Sequence, residues 1–164
     1  MMRNCTSLII IFTLFFLGVP ALNLAWAQGQ EVRVFDGDTF SVSGEVIRLW
    51  GIDAVEAKQS CSVQGVSYSC GSVSRAYLQA LIDPGSLECQ EKPKALRETR
   101  KVAQCFVKGK DLGQLMVSAG WAVDYWYFSK GFYAEDEAQA KKAQRGFWAG
   151  EFQNPKDWRN AHPR

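Results

Sequence analysis

Polar and apolar positions alternate around Val32 and Val34 within Gln30–Phe35, the two-residue period of a half-buried strand. The turn dipeptide Asp36-Gly37 follows. Thr39–Ser43 and Glu45–Ile52 predict two further strands joined at Ser43-Gly44, and Asp53–Gly71 has neither period and is expected to be loop. In Ser72–Ile82 the apolar residues Val73, Ala76, Tyr77, Ala80 and Leu81 recur at helical spacing, and Pro84 lies just beyond. Ser86–Gln90 and Lys101–Val107 predict strands on either side of a polar excursion. Asp111 is placed to cap a short helix with Leu112, Leu115, Met116 and Ala119 on one face and Gly120 past its end. Ala134–Arg145 predicts an amphipathic helix with Glu137 and Lys141 paired one turn apart, stopped at Gly146. The order of elements fits an α+β domain, a small five-stranded barrel with about three helices against it.

The first 27 residues follow another pattern. Arg3 precedes an apolar run from Leu8 to Val19, and Ala25-Trp26-Ala27 then supplies a small-x-small cleavage site before Gln28. The run is shorter than the roughly 20 residues a spanning helix needs. The expectation is a signal peptide over 1–27 and one domain over 28–164, exported to the periplasm or secreted, with no membrane anchor after cleavage. Removing Arg3 with the leader takes the formal net charge of the 164-residue chain from +2 to +1. Such a near-neutral balance argues against indiscriminate polyanion binding, so any nucleic-acid contact has to come from a local patch. The single histidine, His162, rules out a His-rich zinc site and makes a Ser-His-Asp or Cys-His catalytic set a poor fit.

Cys5 falls in the leader, which leaves Cys61, Cys70, Cys89 and Cys105. An even set in an exported chain predicts two disulfides. Of the three connectivities, Cys61–Cys70 and Cys89–Cys105 are preferred: the first closes a short Gly/Ser-rich loop, and the second faces itself across an antiparallel hairpin.

Four polar patches carry candidate chemistry: Asp36-Gly37-Asp38-Thr39, Ile47-Arg48-Leu49, Asp53-Ala54-Val55-Glu56 and Thr99-Arg100-Lys101. Singly, each has a plain reading as a turn, an edge cation, a capped loop and a basic stretch. Together, the spacing of Asp38, Arg48, Asp53 and Glu56 resembles the staphylococcal nuclease (thermonuclease) family, from about Val32 to Trp158. Downstream the likeness is looser, through Arg100-Lys101-Val102-Ala103, Gly120-Trp121-Ala122 and Gly146-Phe147-Trp148.

The resemblance implies an OB-type barrel with helices and calcium-dependent hydrolysis of DNA and RNA by a monomer. It assigns Asp38, Asp53 and the Ala54 carbonyl to calcium, Glu56 to the attacking water, and Arg48 and Arg100 to the scissile phosphate. Calcium takes oxygen ligands, and guanidinium forks match phosphate oxygens, so each assignment is chemically consistent. Lys101 is expected to add charge beside Arg100. In the cluster Tyr125-Trp126-Tyr127-Phe128, Tyr125 and Tyr127 are candidates to stack on a base, with core filling as the alternative. Trp121, Trp148 and Trp158 are expected to anchor core or helices, and the tail Asn154–Arg164 to be solvated.

Three positions depart from the family's pattern. Val55 stands where proline is usual, and Glu98 and Thr99 replace the tyrosine and glycine of Asp-x-Tyr-Gly-Arg, so an anion is expected near the substrate. The competing reading is an OB-fold binding module for nucleic acid or a protein partner, which has no need of the full set Asp38, Arg48, Asp53, Glu56 and Arg100.

Overall fold

A computed structural model describes residues 31–163. The expected signal peptide lies outside the described residues. Strands β1 (Val32–Val34), β2 (Thr39–Val42), β3 (Glu45–Leu49), β4 (Ile52–Ala54), β5 (Cys61–Val63) and β6 (Val66–Tyr68) precede helix α1 (Cys70–Leu81). Then come β7 (Leu87–Glu91), β8 (Lys101–Val107), β9 (Lys110–Asp111), α2 (Leu112–Ser118), β10 (Ala122–Asp124), α3 (Trp126–Ser129), α4 (Ala134–Lys142) and α5 (Pro155–Ala161). The main sheet runs β1-β2-β3-β8-β7, with β9 also on β8; β3 and β8 are parallel and the other pairs antiparallel.

The α+β class is as expected, but the sheet is open rather than a closed five-stranded barrel, and the described residues hold five α-helices rather than three. The single strand expected over Glu45–Ile52 is divided, because Gly51 takes a left-handed φ of 74° that only glycine adopts without strain. Ile52–Ala54 therefore leaves the main sheet and pairs with β10. The segment expected to be loop holds the β5–β6 hairpin.

Phe40, Leu49, Ile52, Leu78, Leu112 and Met116 are fully buried between the sheet and α1 and α2. A second cluster gathers Val55, the Cys61–Cys70 disulfide, Val123 and Phe147 against Trp121, Trp148 and Phe152. The other disulfide, Cys89–Cys105, joins directly opposed residues of β7 and β8, so both preferred pairings are present.

Of the stripe that its apolar residues predicted, helix α1 packs only Tyr77 and Leu81 against the core. Val73 is exposed, as are Ala76 and Ala80, while Gly71, Ser74 and Leu78 face inward. Close approach decides this: a Cβ on Gly71 would stand 1.9 Å from the Glu56 carbonyl. The Ser74 hydroxyl donates to the Trp121 carbonyl at 3.0 Å. Asp111 caps α2 as expected, accepting from Gly113 N–H at 2.8 Å.

The end of α2 meets the end of α4 through two glycines. A Cβ on Gly120, where φ is +74°, would lie 2.1 Å from the Arg145 carbonyl oxygen. Gly120→Ala combines backbone strain with an overlap that forces a backbone shift, for an expected loss of about 3 kcal/mol. Urea unfolding of variant and parent measures it; a loss below about 1 kcal/mol, no more than an ordinary surface change, means that the crossing relaxes freely.

Candidate active site

The turn between β1 and β2 carries the first carboxylates. Asp38 N–H donates back to Asp36 Oδ1 at 3.0 Å, which folds the turn on itself. Gly37 is required there, because a Cβ would stand 1.9 Å from Ser74 Oγ and 2.7 Å from Ala54 Cβ. That approach seats Asp38 against β4, where its Oδ2 accepts from the Ala54 N–H at 3.0 Å.

Arg48 of β3 lies opposite Thr39 in register and points at the same spot. Its Nη1 donates to Asp38 Oδ1 and its Nη2 to Asp53 Oδ1, both at 2.9 Å. Asp38 and Asp53 are almost wholly buried, at 3% and 2% exposure, and this one fork bridges the β1–β2 turn to β4. Burial pushes Asp38 up, but the Arg48 guanidinium, the Ala54 N–H and the Thr39 hydroxyl together hold its carboxyl below the ordinary value. Burial works against the Arg48 charge, yet Asp38 and Asp53 hold its pKa above the ordinary value. Asp36 has the opposite balance: burial, helped by the neighbouring Asp38 carboxylate, pushes it up to about 7.

Thr39 joins the second expected arginine to this group. Its hydroxyl donates to Asp38 Oδ1 at 2.8 Å and accepts from Arg100 Nη1 at 3.1 Å. Arg100 is also forked by Glu98, with Nε to Oε1 at 2.8 Å and Nη2 to Oε2 at 2.6 Å. Those bonds hold Glu98 down at about 2. The Glu98 carboxylate thus occupies Nε and Nη2 of Arg100, and Thr39 takes Nη1.

Glu56 follows β4, and its loop is set by Gln59, a fully buried polar residue. Gln59 Oε1 accepts from the Glu56 N–H at 3.1 Å, and its Nε2 donates to the Gln153 carbonyl at 2.6 Å. Gln153 leads into α5, whose Arg159 reaches the centre. Arg159 Nη1 donates to Asp53 Oδ1 at 2.8 Å and to Glu56 Oε1 at 2.9 Å, and Nη2 to Asp53 Oδ2 at 2.9 Å. Burial opposes that charge, but Asp53 and Glu56 raise the Arg159 pKa above its ordinary value. The tail expected to be solvated thus closes one side of the site. Trp158 stacks on His162 at 4.2 Å rather than entering either core.

Tyr125 and Phe128 line a small hollow of about 50 Å³ together with Arg48 and Glu98. Tyr127 is 68% exposed beneath the Lys130 ammonium. Lys101 pairs with Glu45 at 3.3 Å and shares a shallow pocket with Arg100. Val55, in place of the family's proline, is fully buried in the second core cluster.

Asp38 and Asp53 offer only carboxylate oxygens within reach of one guanidinium, a donor set that suits a hard cation such as calcium. Among the described residues no three His, Cys, Asp or Glu side chains form a ready-made cage, so protein ligands would be few and water would supply the rest.

Thr39, Gln59 and Arg159 were not singled out as site residues by sequence. Asn154-Pro155, a cap followed by proline, is a helix-start signal that announces α5, but nothing local says where Arg159 docks.

The model of the family described as staphylococcal nuclease homologue matches residues 46–150. That span holds Arg48, Asp53, Ala54, Glu56 and Arg100, while Asp38 and Arg159 lie outside it. The succinoglycan biosynthesis protein ExoI of Rhizobium meliloti (strain 1021) is 34% identical over 120 residues, covering 72% of this chain and 63% of the relative. An uncharacterized protein of Bacillus anthracis is 26% identical over 137 residues, covering 77% of this chain and again 63% of the relative. The chain thus spans under two thirds of the length of each of these curated relatives. With the family match extending over well more than half of the sequence, and the fork of Arg48 on two buried carboxylates at its centre, the chain belongs to the staphylococcal nuclease homologue family.

Proposed function

We propose that this protein is an exported, monomeric, calcium-dependent phosphodiesterase that hydrolyses DNA and RNA. The observation that carries the reading is one continuous hydrogen-bonded network from Arg100 through Thr39, Asp38, Arg48, Asp53 and Arg159 to Glu56. A binding module has no use for two buried carboxylates, a third acid and two arginines in one network. Two disulfides support an oxidising compartment, and no helix among the described residues is long and apolar enough to cross a membrane.

Asp38, Asp53 and the Ala54 carbonyl would hold the cation. Calcium supplies positive charge that polarises the phosphoryl oxygen and acidifies bound water. Glu56 takes the proton of the water that attacks phosphorus. Arg48 and Arg100 donate to the equatorial oxygens as negative charge accumulates there. By family likeness the bond to the 5′ oxygen breaks, that oxygen leaves as a 5′-hydroxyl with a proton from solvent water, and the product ends in a 3′-phosphate. Substrate has to displace Glu98 from Arg100, since both compete for the same guanidinium face. Tyr125, which lines a hollow with Arg48 and Glu98, would stack on a base next to the scissile phosphate; Tyr127 and Lys101 would contact substrate further out.

The Glu98 fork is also what favours a second reading, a binding module whose arginine is held by its own acid. One assay separates the two. Purified, oxidised protein is incubated with single-stranded DNA and RNA, with calcium or chelator, beside an Asp38→Ala/Asp53→Ala variant. The expected result is calcium-dependent cleavage that disappears in the variant. Folded protein that binds the strands without cutting them would establish the module instead.

A further inference from the structure

Every oxygen of Asp53 is taken by a guanidinium: Oδ1 accepts from Arg48 and Arg159, and Oδ2 from Arg159 alone. The same Arg159 group reaches Glu56. One side chain therefore covers both a proposed calcium ligand and the proposed base. We propose that Arg159 is a built-in counter-cation that competes with the divalent ion for Asp53 and so sets the metal affinity of the protein.

The contact is built rather than incidental. The chain leading into α5 is anchored on the Glu56 side by the Gln59–Gln153 hydrogen bond, and by paired backbone bonds between Ser62 and Glu151 at 2.8 Å each. Asn154 caps the helix, and Pro155 is buried at its first turn. The start of the helix is thus held in place, and movement of the Arg159 side chain would uncover Asp53. Room for that movement exists: a cleft of about 1120 Å³ lies beside Glu56 and Arg159, walled by Lys58, Trp158 and His162.

Charge explains the need. Buried carboxylates that meet without cations repel one another and lose solvation. Arg48 reaches only Oδ1 of Asp53. Arg159 supplies the positive charge at Oδ2. A calcium ion at Asp53 needs an oxygen that Arg159 now holds, so each weakens the other by reciprocal coupling.

This inference rests on the reading that Asp38 and Asp53 hold the cation, and its test does not depend on cleavage. Calcium affinity is measured by titration calorimetry on parent, Arg159→Gln and Arg159→Lys. Lys156→Gln, an exposed neighbour on α5, controls for the lost charge. Arg159→Gln is expected to bind calcium about tenfold more tightly or better, the effect of removing charge-assisted hydrogen bonds from the ligand. Arg159→Lys, which keeps a charge without a fork, should fall between, and Lys156→Gln should stay within about twofold, as a screened surface charge does. Should Arg159→Gln fail to fold, Arg159→Lys still decides, with tighter binding supporting the inference. Unchanged or weaker calcium affinity in the Arg159 variants overturns it, as does the absence of calcium binding in all of them. Tighter binding without cleavage leaves this inference standing and removes the nuclease reading, while cleavage with unchanged affinity does the reverse.

Discussion

Arg48→Ala is expected to cost about 3–5 kcal/mol of stability in chelator, the range for removing one partner of a buried charge group. Arg48 separates Asp38 from Asp53, and its side chain is only 15% exposed. Without it Asp38 keeps the Ala54 N–H and the Thr39 hydroxyl but loses its closest positive charge. Asp53 keeps Arg159, so most of the loss falls on Asp38. Arg48→Lys restores charge without the two-pronged geometry and should recover part of it, because an ammonium cannot span two carboxylates as a planar fork does. Urea unfolding of both variants measures the difference. Equal losses in Ala and Lys would show that the fork's geometry matters more than its charge. A loss under about 1 kcal/mol, the worth of a surface ion pair, would show that water reaches these carboxylates.

Glu56→Gln should lower turnover by about 10²–10⁴, the usual contribution of a positioned proton acceptor. The amide keeps the shape and can still accept from Arg159 through its oxygen, but it cannot take a proton from water. Calcium affinity should stay within a few-fold, since Glu56 is not among the residues assigned to the ion. Steady-state kinetics and calorimetry on the same sample separate these effects. Loss of calcium binding with turnover would make Glu56 a metal ligand, and unchanged turnover would place the base elsewhere.

The parts of the molecule legible in the sequence are those decided by near neighbours. Asp111 caps α2 through bonds to residues two and three positions on, and Cys89 faces Cys105 because one hairpin sets both. The spacing of Asp38, Arg48, Asp53 and Glu56 was readable because β2, β3 and β4 follow one another with short turns.

Other features depend on contacts that no local pattern encodes. The inward face of α1 is set by Gly71 and Ser74, small residues with no hydrophobic signal, because backbone approaches them closely. The break at Gly51 sends β4 to β10, a partner far along the chain, and keeps the sheet open. Glu98 is legible in the sequence as an anion two positions from Arg100, but its fork on Arg100 is a matter of side-chain geometry.

Arg159 is the extreme case, reaching Asp53 from 106 positions away. By itself the sequence determined the charges that neighbouring segments bring to the site, Asp38, Arg48, Asp53 and Glu56, since residue types and short spacings are local properties. Only the tertiary structure decided which charge faces which, because burial makes an unpaired carboxylate costly and the nearest available cation came from a distant helix.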